Sequence, residues 1–172
     1  DALDDDNVPI KLTTSTDSGI TVIPGDASRL IVLLPTQYLV PGKTVPPYGA
    51  AGTISTQTAG VYFNAMVYAA DSRYNRVYGI NKANIKATSD DLFASDLGLY
   101  SMTDGSATIT TISLRSAGFR TVTATDLSGT NPPLNATISG VFTLNPSNPT
   151  KLRTMVPNQT RLPGDKVGNG RA

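Results

Sequence analysis

The chain is 172 residues long, carries a net charge of +1 and draws roughly a fifth of its residues from Thr and Ser. Without Cys, His or Glu it can build no disulfide, thiolate or imidazole site, and every side-chain carboxylate is an Asp, which argues against an enzyme. Its basic residues are scattered rather than striped, so no nucleic-acid partner is expected, and no apolar run approaches the ~20 residues a membrane helix needs.

Thr, Val, Ile and Tyr suit a half-buried pleated surface, so the elements are read as strands. Asp4-Asp5-Asp6-Asn7 comes first. It offers the hard oxygen donors that calcium takes, the one metal expectation in the chain, or else forms a solvated acidic loop. The dense apolar run 29–34 predicts a first strand, stopped by Pro35, and the prolines between 35 and 52 exclude a central strand there. Residues 61–70 alternate best: Val61, Phe63, Ala65, Val67 and Ala69 share one face, Tyr62, Asn64, Met66 and Tyr68 the other. Asp71 to Asn75 then supplies turn chemistry.

Short strands are predicted over 76–78, 84–89 and 99–102, with a polar loop through Asp90-Asp91 before the last of them. Asp104-Gly105 is a hairpin signal leading into 108–114. Ala117-Gly118 turns the chain into 120–125, where Val122 and Ala124 face inward. The stretch 136–144 closes the unit, with Ile138, Phe142 and Leu144 on one face. About seven or eight short strands with frequent turns and no useful helix predict an all-β sandwich.

The two ends of the chain carry a hidden repeat. Leu30, Pro35, Gln37, Pro41 and Gly42 recur without a gap as Leu152, Pro157, Gln159, Pro163 and Gly164, an offset of 122 residues that also pairs Thr21 with Thr143 and Pro24 with Pro146. Residues 1–27 then read as the C-terminal portion of a preceding repeat, 28–149 as a complete one, and 150–172 as the N-terminal portion of the next. Asn145-Pro146-Ser147-Asn148-Pro149 joins them as a short, stiff link. Strands cut from their sandwiches expose unpaired backbone, so copies of the chain or neighbouring repeats are the expected partners.

Within the unit, Leu30 to Pro35, Thr58-Ala59-Gly60, the run from Phe63 to Asp71 with Asn75, Leu114 to Gly118 and Thr121 to Asp126 form one set of motifs. This set resembles the tandem immunoglobulin-like or filamin-like repeats of bacterial extracellular surface and fibre proteins. The resemblance covers most of 28–149 and marks strands and turns rather than chemistry. It implies an immunoglobulin-like β-sandwich at the cell surface or outside the cell, in a structural or adhesive array. Any secretion signal would lie upstream of the sequence given.

Several candidate sites follow. Gly42-Lys43-Thr44 lacks the first glycine and the helix of a phosphate loop, so no nucleotide is expected. Lys11, Lys82 and Lys86 have the side chain that intramolecular Lys–Asp or Lys–Asn cross-links use, without a Glu to promote one. Tyr62, Tyr68, Tyr74 and Tyr78, with Met66, suggest an aromatic face that contacts another subunit or surface glycans, or that packs beneath the 35–52 loop. The expected function is a structural repeat of an extracellular fibre, stalk or surface layer, joined end to end through stiff linkers or strand complementation. The alternative is an adhesive, carbohydrate-binding module.

Overall fold

The computed structural model describes residues 19–165, and among them the chain is all-β, without a helix. In chain order the strands are β1 (Arg29–Leu33), β2 (Tyr38–Leu39), β3 (Ala50–Ala51), β4 (Gln57–Thr58), β5 (Phe63–Ala70), β6 (Lys82–Ser89), β7 (Leu99–Met102), β8 (Ser106–Ile112), β9 (Gly118–Arg120), β10 (Val122–Asp126), β11 (Thr137–Ile138) and β12 (Phe142–Asn145). They form sheets ordered β1-β5-β8, β11-β10-β6-β7 and β4-β12-β9, plus a β2-β3 pair. Residues from the first two sheets meet in one core around Leu30, Val67, Ile109, Ile85 and Val122, and Phe142 and Leu144 of the third sheet seal it. The layering is consistent with a β-sandwich.

The strands follow from their side chains. On β5, Phe63, Ala65, Val67 and Ala69 are all buried while Asn64 is exposed, as the alternation requires. β1 does not alternate because both its faces are covered: Leu30 and Val32 point into the main core, while Ile31 and Leu33 enter a second cluster with Ala50 and Ala70 beneath the 35–52 loop. Asp104 and Gly105 both have positive φ (49° and 69°), the geometry of a tight hairpin turn, and Asp104 also accepts the Gly79 N–H at 2.7 Å.

Four expectations are corrected. Val61 and Tyr62 precede β5 and are exposed, because the strand starts only where Phe63 can reach the core. Residues 76–78 make a single bridge, Arg76 to Ala70, rather than a strand. Gly118 opens a strand instead of ending a turn. The closing stretch 136–144 is two strands, because Ser139 is buried and bonds Val122 through both its amide and its hydroxyl, so the chain leaves one sheet there and joins another. Ile138 therefore faces solvent at 66 % exposure.

The register sets two poles. Arg29 at the start of β1 lies opposite Ala70 at the end of β5, and Gly25 just upstream is hydrogen-bonded to Asp71. At the other end of β5, Phe63 pairs with Ile112, and Ala59 and Gly60 donate to the carbonyls of Asn145 and Leu114. The chain thus comes in at the Ala70 end of the central strand and leaves at the Phe63 end. Eight residues of strand separate those ends by roughly 25 Å.

Candidate functional site

Each pole is organised by a buried carboxylate. At the upstream pole, Asp71 accepts the amides of Gly25 (2.9 Å), Arg73 (2.8 Å) and Asn75 (2.9 Å) and the Asn75 side-chain amide (3.0 Å). Burial pushes this carboxyl up, but the four donors outweigh it and hold the group below its ordinary value. The turn seen in the sequence is therefore also a clamp on the incoming segment.

At the downstream pole the Asp90-Asp91 pattern predicts a polar loop, yet Asp91 is buried. Its oxygens accept the N–H of Arg115 (2.5 Å), Ser116 (2.9 Å) and Phe93 (3.0 Å) and the Ser116 hydroxyl (2.6 Å). Here too burial raises the carboxyl and these bonds overcome it, lowering its pKa. Ser116 Oγ also reaches the Pro163 carbonyl at 2.9 Å. No local pattern announces this contact, because the partners stand 47 residues apart.

The third buried carboxylate, Asp126, pairs with Lys82 at 3.2 Å, their side chains 4 % and 1 % exposed. Lys82 Nζ also donates to Thr130 O (2.7 Å), Thr130 Oγ1 (3.1 Å) and Pro132 O (2.6 Å). Three ammonium protons facing four oxygens leave no lone pair to attack a carboxyl. This geometry suits a structural ion pair rather than a cross-linking amine. Burial raises the Asp126 carboxyl, and the bonds from Ser128, Lys82 and Leu134 bring it below the ordinary range. Lys86 instead meets Asp96 at the surface.

The tyrosines separate. Tyr68 and Tyr74 pack with Met66 against the second cluster, and Tyr74 stacks on Tyr48 of the covering loop at 5.2 Å. Arg76 lies over the Tyr68 and Tyr78 rings at 4.7 and 4.3 Å, leaving Tyr78 largely exposed. Tyr62 is exposed at the opposite end of β5, so the four do not form one face. Lys43 is spent on the Ala50 carbonyl at 2.8 Å. A groove of about 660 Å³ beyond the end of β1 is lined by Gln37, Gln57 and Asn64 among others, but Gln37 accepts the Leu34 amide and Gln57 donates to Ser55.

Asp4, Asp5 and Asp6 lie outside the described residues, and Lys11 with them. Among the described residues no three metal-ligating side chains gather, and no helix is long and apolar enough to cross a membrane. No family model, curated protein or solved structure matches the chain.

The flanks carry geometry of their own. Thr36 and Asn158 both have positive φ (73° and 69°), as do Gly42 and Gly164 (76° and 83°). Gln37 N–H donates to Leu34 O at 3.0 Å and Gln159 N–H to Val156 O at 3.2 Å. In return each glutamine accepts an amide through Oε1, from Leu34 at 3.0 Å and from Val156 at 3.3 Å. The same turn is therefore built twice, 122 residues apart.

Proposed function

We propose that the chain is a structural unit of an extracellular tandem array: an immunoglobulin-like sandwich joined end to end with copies of itself. One observation carries this reading. The chain comes in and leaves at opposite poles, and its flanks hold apolar residues whose counterparts at the 122-residue offset are core. Leu30 is 1 % exposed and Leu152 104 %; Leu144 is 1 % exposed and Val22 84 %. Ile20 and Val156 stand in the same relation to the buried Phe142 and Leu34. A residue buried in one copy and bare in the next asks for the rest of that next copy, because exposed apolar strands cost solvation and invite pairing.

Under the same offset Asp4 corresponds to Asp126. The family resemblance is what supports a location outside the cell. Electron micrographs of the native assembly should show beads strung in line; isolated globules would overturn the reading.

A further inference from the structure

We infer that Asp91 and Ser116 form a socket for the Pro–Gly turn of the following repeat, so that each unit carries a plug at one pole and a socket at the other. This rests on the array reading. The plug in hand is Pro163-Gly164. Ser116 Oγ lies 2.6 Å from the Asp91 carboxylate and 2.9 Å from the Pro163 carbonyl, and its single proton serves one of these acceptors at a time, so the turn is seated on a side chain that is itself anchored in the interior rather than on a loose surface group. Asp91 also holds the Arg115 and Ser116 amides, which fixes where that hydroxyl points.

Gly164 is required twice over. Its φ of +83° lies in the left-handed region, and a Cβ there would overlap Ser116 Oγ and stand 3.0 Å from the Ser116 amide nitrogen. The unit's own Pro41-Gly42 has the same turn, with a φ of +76° at Gly42, and both residues are exposed. It is the matching plug for the preceding repeat. At its back, Gly42 N–H reaches the Tyr74 carbonyl at 3.4 Å, beside the Asp71 clamp on Gly25. One joint is therefore held at two points, by Asp71 on the linker and by the socket on the turn. The partner that fits the free Pro41-Gly42 turn is the socket pole of the preceding repeat.

Limited trypsin digestion of the whole chain tests the socket. Cleavage after Arg161 requires the plug to lift away, whereas cleavage after Lys151, upstream of the turn, does not. In the unmodified chain the Arg161 site should be cut more slowly than the Lys151 site. Ser116→Ala removes the hydroxyl shared by Asp91 and Pro163 while leaving the Asp91 bonds to the Arg115 and Ser116 amides, and should speed the Arg161 cut about three- to tenfold. Gly164→Ala should do the same from the plug side without touching the unit, which covers the case in which Ser116→Ala fails to fold. Equal cleavage ratios in all three chains would overturn the socket and leave the array standing. Slow cleavage at Arg161 together with micrographs free of beads would instead end the array reading and keep the contact.

Discussion

Single residues here act through what they are bonded to. Lys82 is the strongest case, because removing it strands Asp126 in the interior. We expect Lys82→Ala to cost about 3–5 kcal/mol by urea denaturation, whereas Lys86→Ala, which only frees the solvent-facing Asp96, should change little. Comparable losses in the two variants would refute the buried-ion account. Because the ammonium is saturated, intact mass should equal the sequence mass, and a deficit of one water would reveal an amide cross-link instead. Asp71, Asp91 and Asp126 all have pKa values lowered on folding, so each contributes stability above its unfolded value of about 3.9 and loses it as pH falls through the folded value. The urea midpoint should be level near neutrality and drop below about pH 4, with a shallower acid limb in Asp91→Asn. An identical limb in that variant would mean the downstream carboxylate is not part of the linkage.

At the scale of elements, one sequence pattern gives opposite outcomes in two places. Leu30 sits on β1 between β5 and the second sheet, while Leu152, its counterpart, touches nothing that buries it. Leu30→Ala should cost about 2–5 kcal/mol and Leu152→Ala almost nothing in this chain, measured as thermal or urea unfolding. A large loss at Leu152 would mean that the flank is already packed. The alternation of β5, the existence of β1 and the Asp104-Gly105 hairpin were legible because each depends on neighbours in sequence. The division of 136–144 was not, since it depends on Ser139 finding Val122, 17 residues away, through its hydroxyl. Tyr68 shows the same limit: period-two spacing places it with Met66 on the outer face of β5, but only the path of the 35–52 loop, whose Tyr48 stacks on Tyr74 of the following turn, decides that this face is covered.

Across the described molecule, the important feature is that the segments before β1 and after β12 leave the sandwich at opposite poles. A sandwich whose termini met at one pole would make a side branch; this one passes its chain straight through, with Asp71 gripping the segment coming in and Ser116 the segment going out. Under the proposed array, bead spacing should accordingly be one unit length, on the order of a few tens of ångströms, set by roughly 25 Å of central strand plus its loops. Alternating spacings or side-by-side pairing would contradict a through-running chain. The stiffness of Asn145 to Pro149 adds to this, since two prolines restrict the link before the socket takes hold.

By itself the sequence determined the all-β class, the principal strands and the 122-residue spacing, because side-chain alternation, turn chemistry and Pro–Gly placement are local properties of the chain. It took the tertiary structure to decide that Asp91 is an anchor rather than a loop residue, that Lys82 and Asp126 form a sealed ion pair, and that the segments before β1 and after β12 leave at opposite poles. Those facts rest on contacts between residues far apart in sequence, whose free energy depends on burial that no local pattern records.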